Sequence, residues 1–387
     1  MLKASKSAKP KRFHKPAGRK ATKQPMSKTL SYHIEHMDPL GQGVAKQNSA
    51  VTFIGKTLPG ETLTAQVVSS KKGVSFAQLK QVEEPALNRI PASCEHYDQC
   101  PGCHYLHTDY HSELGYKKQA LAKLLAKLAV SEEDIQVIAA PKRDGYRNRI
   151  QLHYRGNSIG LVDGMTDKIV EIPHCQIIQQ EIKPALTALY QDRSWSKGRS
   201  RQGHCELYLK NEVVNVEWNE RYAHGGFTQV FAAMNEQLCA RVTEYIQREA
   251  VESVLDLFAG DGNLTEDMCA DGQVKRIMVD YSADNHRDNF FPLDLFAEDA
   301  LKKFQSKCKD KHFDALIVDP PRKGFSALSQ WVKKYKPKLL VYVSCNAATM
   351  ARDLANLSTP FTMETVELLD LFPSTYHFET ISFVRFK

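Results

Sequence analysis

Cysteines concentrate much of the chemistry this chain could perform. Three stand in Cys94-Glu-His-Tyr-Asp-Gln-Cys100-Pro-Gly-Cys103 and a fourth in Ile172-Pro-His-Cys175-Gln. That grouping fits one thiolate-bound centre, with His96, His104 and His107 read as polar surface histidines beside it rather than as ligands. Zinc also takes four thiolates, but structural zinc usually sits between two short C-x-x-C hooks, and here only Cys100 and Cys103 are so spaced. Cys345, in Val343-Ser-Cys345-Asn, is far downstream and needs a different role. A lone cysteine after an apolar strand is by default a small buried hydrophobe, whereas one among polar strand ends is singled out by reactivity. Further on, Leu371-Phe-Pro-Ser-Thr-Tyr-His377-Phe-Glu379 brings an acid toward the same sheet edge. Methyl addition at carbon 5 of a pyrimidine needs a nucleophile at carbon 6 and a base for the carbon-5 proton, and Cys345 and Glu379 are of the right types.

A second set of residues has the pattern of a nucleotide-like cofactor site. Val254-Leu-Asp-Leu-Phe-Ala-Gly260-Asp-Gly262-Asn-Leu-Thr265 puts a glycine turn directly after a strand, where the backbone can approach a ligand closely. A dinucleotide-binding dehydrogenase would want its third glycine where Thr265 stands. Asp280 ends the next strand and can accept hydrogen bonds from ribose hydroxyls. Taken with Asp319-Pro-Pro-Arg-Lys-Gly324, these residues favour S-adenosylmethionine.

The elements that must position these groups fall into distinct stretches, as expected for 387 residues, more than one core usually organises. Residues 1–28 hold ten Lys/Arg and no acid; without them the chain has 42 basic against 45 acidic residues, so its basicity is that of a disordered tail suited to a polyanion. Residues 29–87 alternate in short strands (Tyr32–Ile34, Ala50–Ile54, Thr62–Val68, Phe76–Leu79) and predict a small OB-like barrel. Residues 88–225 read as a mixed α+β central domain. Its helix has Leu114, Leu121, Leu124, Leu125 and Leu128 on one apolar stripe and Lys117, Lys118, Lys123 and Lys127 off it. From 226 to 387 helices alternate with apolar strands, predicting an α/β domain with a parallel sheet buried on both faces and ligand-bearing carboxyl ends at Asp256, Asp280, Asp319 and Cys345. No run of eighteen apolar residues could span a membrane, and nine cysteines without an export signal point to reduced thiols in the cytoplasm.

Phe227-Thr-Gln229-Val, the Asp256 glycine turn, Asp319-Pro-Pro-Arg322, Val343-Ser-Cys345-Asn and Phe372-Pro-Ser-Thr-Tyr-His377-Phe-Glu379 together resemble the RNA uracil-5-methyltransferases. The resemblance runs from about residue 29 to the end and is closest to the ribosomal RNA branch, with the transfer RNA branch matching the later half. It implies a Rossmann-like class I methyltransferase domain, an N-terminal TRAM barrel and a central domain with a 4Fe–4S cluster on Cys94, Cys100, Cys103 and Cys175. It also implies Cys345 as nucleophile, Glu379 as base, and Gln229, Phe258, Asn263, Asp280, Asp294 and Asp319 around cofactor and target base. A monomer acting on RNA, most simply 23S ribosomal RNA, follows. The chain departs from the family at Phe231, where Asn is usual, at Asp280, where Glu is usual, and between Tyr281 and Phe290, where a helix is cut short.

Four other classes compete. An amino-methyltransferase would want an aromatic residue where Arg322 stands. An inactive RNA-binding protein would need neither Cys345 nor Glu379. An RNA cytosine-5 enzyme would carry a second cysteine in the Asp319 motif. A radical enzyme would place three residues between its first two cluster cysteines, where five separate Cys94 from Cys100.

Overall fold

The computed structural model describes residues 29–47, 50–221, 223, 228–269, 272–281 and 289–387. The basic tail and the interior of the 281–290 segment lie outside these.

Strands β1 (Thr29–His33), β2 (His36–Met37), β3 (Gln42–Gln47), β4 (Ala50–Gly55), β5 (Thr62–Lys71) and β6 (Val74–Glu84) form one sheet in the order β1-β5-β6-β4-β3-β2. Its edge strands β1 and β2 are joined through Ile34 and Glu35 alone, so the sheet curls until its edges meet. The seam is marked by the Glu35 N–H donating to the Val44 carbonyl at 2.9 Å. Tyr32, Ile34, Ala45, Ile54, Leu63, Ala65 and Ala77 fill the interior. A Cβ at Gly43 would stand 2.1 Å from Thr57 Oγ1 and 2.8 Å from Ile34 Cγ2, so only glycine lets the strand pass there. The two short strands β2 and β3, absent from the sequence reading, supply the closure.

Next come α1 (Tyr110–Leu125), β7 (Ile135–Ile138), β8 (Arg149–Arg155), β9 (Ser158–Val162), β10 (Ile169–Val170), α2 (Lys183–Gln191), β11 (Gln202–Lys210) and β12 (Val213–Trp218). Strands β10-β9-β8-β11-β12 make an antiparallel sheet whose Ile150, Leu152, Ile159 and Leu207 pack with Ile182, Leu186 and Leu189 at and within α2. Segment 88–225 serves two sheets, however, because β7 pairs with the C-terminal sheet and Leu121 and Leu125 of α1 join that sheet's core. Lys117, expected off the apolar stripe, is fully buried. It is held by Glu113 one turn back and by Asp370 from the far end of the chain.

The last stretch contains α3 (Ala232–Arg248), β13 (Ser253–Leu257), β14 (Lys275–Asp280), β15 (Phe290–Pro292), α4 (Ala300–Lys307), β16 (Ala315–Val318), α5 (Leu328–Tyr335), β17 (Leu339–Ser344), α6 (Ala347–Ala355), β18 (Phe361–Leu369) and β19 (Glu379–Phe386). The sheet order is β15-β14-β13-β16-β17-β19-β18-β7. It is not wholly parallel as expected: β19 runs antiparallel between β17 and β18. Alternate residues of its strands feed two cores. Leu255, Leu316, Val318, Leu340 and Tyr342 pack with α1, α4, α5 and α6 through Leu121, Phe304, Trp331 and Met350. Val254, Ile317, Val341 and Val343 pack with Met234, Leu238, Val242 and Ile246 of α3 and with Cys103, Leu106 and Tyr146. At about 25 cal/mol per Å² of apolar surface, each such buried Leu, Ile or Val adds roughly 1.5–3 kcal/mol before chain entropy is charged. The cysteine-bearing segment is thus part of the wall of this sheet.

Candidate active site

Parallel strands deliver their carboxyl ends to one rim, and that rim collects the residues singled out above. Asp280 ends β14, Asp256 lies in β13 with Phe258 just beyond it, Asp319 follows β16 and Cys345 follows β17. Strand β19 enters the sheet in the opposite sense, so its first residue, Glu379, arrives at the same rim. With Ser344 opposite Thr380, the next step of the register sets Cys345 against Glu379. An antiparallel strand therefore lets an acid 34 residues downstream meet a thiol at the end of a parallel one.

The rim is crowded with carboxylates that have left water. Asp256 is buried; burial carries it to about 7 despite the Thr265 hydroxyl that donates to its Oδ2 at 2.7 Å. Its Oδ1 is buried without a hydrogen-bond partner among the described residues. Asp319 reaches about 7 through burial and the nearby charges of Asp256 and Asp280. Glu379 is held well above the usual carboxylate range by burial and by Asp319, with Arg322 opposing. The Cys345 thiol, half-buried, is pushed up to about 11 by burial, Glu379 and Asp319, again against Arg322. His377 is pulled down to about 4 by burial and by Arg322. Burial and the neighbouring acids thus favour the protonated forms of these carboxyls and of the thiol.

Neighbouring groups shape the pocket. Asp280 Oδ2 accepts from the Gly260 N–H at 3.0 Å, tying the acid to the glycine turn. Gly262, with φ +88°, adopts the left-handed backbone that glycine takes without strain. Phe258, a non-glycine residue at φ +63°, stacks near Phe296 and edge-on to Phe325, with centroids 5.3 and 5.0 Å away. A cleft of about 210 Å³ runs beside Phe296 and Phe325. Asn346 Nδ2 donates to the Arg322 carbonyl at 2.9 Å and locks the Asp319–Gly324 loop to the Cys345 turn.

Three further expected residues are placed by other contacts. Asp294 caps the Phe296 N–H at 2.9 Å and lines a separate hollow of about 270 Å³ against Lys303, Phe304 and Lys307 of α4. Gln229 lies before α3, with its carbonyl bonded to Asn148 Nδ2 at 3.0 Å. Asn263 makes a reciprocal amide pair, 2.9 Å each way, with Asn235 of α3, one turn after Phe231. Lys117 carried no motif signal, although Glu113 and Lys117 stand at the i,i+4 spacing of a helical ion pair.

The four cysteines expected to share one centre lie near one another. Cys100 and Cys103 are buried, Cys94 and Cys175 half-buried, and none is disulfide-bonded. Burial raises the Cys103 thiol well above its ordinary value, and Cys175, Cys100 and Cys94 raise it further, as mutual neighbours must. Burial carries Cys175 up to about 11. The Gly102 N–H donates to Cys100 Sγ at 3.4 Å, and Lys56 of the barrel donates to the Tyr97 and Cys100 carbonyls. Among the described residues, Glu95, His96 and His174 bring three metal-ligating atoms within 4.8 Å of one another. His107, expected at the surface, is buried with Nδ1 2.5 Å from the Tyr97 hydroxyl, because the segment packs as core rather than as a loop.

The doubly covered sheet with an acid-lined carboxyl rim defines a class I S-adenosylmethionine-dependent methyltransferase. The same architecture occurs in the tRNA (uracil-54, C5)-methyltransferase of Pyrococcus abyssi in complex with S-adenosyl-L-homocysteine, at TM-score 0.66 and 20% identity, covering 92% of this chain and 100% of that one. A tRNA (uracil-5-)-methyltransferase family model matches residues 298–386, which contain Asp319, Cys345 and Glu379. Two proteins named 23S rRNA (uracil(1939)-C(5))-methyltransferase RlmD, from Shewanella frigidimarina and Shewanella sediminis, are each 27% identical and cover 92% of this chain and 95% and 96% of their own lengths. Over residues 298–386, and at 27% identity along 92% of its length, the chain is thus similar to RNA uracil-5-methyltransferases.

Proposed function

We propose that this enzyme methylates carbon 5 of a uridine in 23S ribosomal RNA, drawing the methyl group from S-adenosylmethionine. The observation that carries this is the antiparallel register that sets Glu379 beside Cys345 at the Asp319 rim. Near-complete coverage of relatives named for a ribosomal uridine favours ribosomal over transfer RNA. S-adenosylmethionine, when bound, supplies an electrophilic methyl on a cationic sulfur, for which Asp256, Asp280 and Asp319 provide negative charge. The target base leaves its stack to reach the rim. Cys345 adds through sulfur to carbon 6, and the displaced electron pair makes carbon 5 nucleophilic toward the methyl group. Glu379 then takes the carbon-5 proton, the carbon 5–carbon 6 double bond re-forms, and the sulfur–carbon bond breaks to return the thiolate. Arg322, which favours both the thiolate and the ionised Glu379, is the cation of the rim.

The four clustered thiols fit a 4Fe–4S centre held by Cys94, Cys100, Cys103 and Cys175. Structural zinc usually sits between two short C-x-x-C hooks, and only Cys100 and Cys103 are so spaced. We assign the centre a structural role. The barrel at 29–87 reads as a TRAM-type RNA-binding module and the basic tail at 1–28 as a phosphate-binding arm in a monomeric cytoplasmic protein.

The test is Cys345→Ala in the purified full-length protein, with methylated positions mapped in ribosomal RNA from cells with and without it. Methyl transfer should vanish while S-adenosylmethionine binding stays unchanged. Near-normal turnover, or a mapped site on transfer RNA alone, would overturn the assignment.

A further inference from the structure

Shortly before Glu379 the chain turns through Phe372, Pro373 and Ser374, and other parts of the molecule grip this turn by its backbone. Lys117 Nζ donates to the Phe372 carbonyl at 3.3 Å, and the Tyr146 hydroxyl donates to the Pro373 carbonyl at 3.0 Å. The Ser374 N–H donates to Glu113 Oε1 at 2.7 Å. Its carbonyl accepts from the N–H groups of His104 and Tyr105, at 2.7 and 3.1 Å, directly after Cys103. Ser374 has φ +68°, a conformation that a non-glycine residue keeps only where its surroundings over-determine it.

At the centre of the grip is Lys117. Its ammonium donates to Glu113 Oε1 and Asp370 Oδ1, both at 2.7 Å. The outer oxygens are also occupied, Glu113 Oε2 by Arg143 at 2.7 Å and Asp370 Oδ2 by the Tyr110 hydroxyl at 2.8 Å. For stability alone such a buried ionic group is a poor choice, since well-packed apolar side chains often serve as well or better. Apolar side chains cannot, however, fix a carbonyl and an N–H of a neighbouring turn at once. Here the same charges that satisfy one another also hold Phe372 and Ser374.

We infer that Lys117 is a positioning residue for Glu379: with Glu113 and Asp370 it sets the 372–374 turn, and the turn sets the carboxylate that receives the carbon-5 proton. This rests on the reading of Glu379 as the base. The role is separable from general stability, because proton removal is the last step of the reaction and a substrate exists that omits it. RNA carrying 5-fluorouridine has no carbon-5 proton, so its covalent adduct reports attack and methyl transfer alone.

The experiment compares full-length wild type, Lys117→Met, Lys117→Arg, Tyr146→Phe and Glu379→Gln on a ribosomal RNA transcript and on its 5-fluorouridine counterpart. A misplacement of about 1 Å costs on the order of 100-fold, so Lys117→Met should lose about 10- to 100-fold in kcat on ordinary RNA, with KM within about threefold and adduct accumulating on a denaturing gel. Adduct formation on 5-fluorouridine RNA should stay within about threefold of wild type, and Lys117→Arg should recover most of kcat. Equal slowing on both RNAs would overturn the inference. Should Lys117→Met fail to fold, Tyr146→Phe removes one hydrogen bond from the turn and should show the same split at lower amplitude; no split there would also overturn it. If Glu379→Gln accumulates adduct and the positioning variants do not, only the role of Lys117 falls. If Glu379→Gln turns over without adduct, the base itself is misassigned.

Discussion

Cys345 and Glu379 place opposite demands on one small volume: the thiol must lose a proton before attack, and the carboxylate must be free to accept one afterwards. Burial and the neighbouring acids favour the protonated form of each. That protects the thiol from oxidation and leaves activation to whatever positive charge arrives with the cofactor, supplementing Arg322. Glu379→Gln should therefore stop the reaction late, with a covalent protein–RNA adduct visible on a denaturing gel; full activity with no adduct would move the base elsewhere. The acids also predict a pH effect of definite sign. Asp256 and Asp319 hold their protons until about 7 in the folded protein, against 3.8 for a free aspartate. The folded state thus binds more protons than the unfolded one between these values. The stability these groups contribute is complete below about 3.8 and is lost as pH rises through about 7. A cationic ligand reverses the balance by favouring ionised carboxylates. S-adenosylmethionine should accordingly raise the melting temperature more at pH 8 than at pH 6, and calorimetry near pH 7 should register proton release on binding. An equal shift at both pH values would show that these carboxylates do not face the cofactor.

Strand ends were the most legible part of the molecule, because apolar runs closing on Asp280, Asp319 and Cys345 mark the carboxyl rim of a parallel sheet without further information. The antiparallel β18 and β19 were not legible in the same way: their pairing joins β17 to residues 361–386, and no local period reports which neighbour a strand will choose. Lys117 escaped for a related reason. An i,i+4 pair with Glu113 looks like an exposed helix face, and only Asp370, 253 residues away, turns it into a buried ion pair. Asp353 of α6 shows the same dependence on distant partners. Its buried Oδ2 accepts the Phe325 N–H at 2.5 Å and the Tyr342 hydroxyl at 2.7 Å, joining the end of the Asp319–Gly324 loop to β17. Removing it strands two buried donors at about 1–3 kcal/mol each, so Asp353→Ala should lose roughly 2–4 kcal/mol in urea unfolding. It should also lower turnover, since the loop that carries Asp319 and Arg322 is released. A loss under about 0.5 kcal/mol would mean that water replaces the carboxylate.

At the scale of the molecule, the cysteine segment is where the three sheets are fastened to one another. Cys100 lies in the core of the antiparallel sheet and Cys103 in that of the eight-stranded sheet, Cys175 packs against both, and Lys56 of the barrel reaches the Tyr97 and Cys100 carbonyls. Residues 94–105 form no helix or strand, so backbone hydrogen bonding alone gives them little rigidity. Bonds from four thiolates to one inorganic core would supply it, tying Cys175 to a segment more than 70 residues earlier in the chain. The consequence reaches the rim, because His104 and Tyr105 hold Ser374 immediately after the last cysteine of the triplet. Anaerobically purified protein should therefore be brown and contain about four irons per chain. Loss of iron on exposure to air or chelator should lower the melting temperature of the whole protein. It should also raise amide hydrogen exchange at 94–105 and at 372–376 together, while the barrel interior around Ile54 and Leu63 keeps its protection. Stoichiometric zinc without iron would replace the cluster by a different metal. Exchange that rises at the cysteines but not at 372–376 would show that the centre holds its own loop and nothing beyond it.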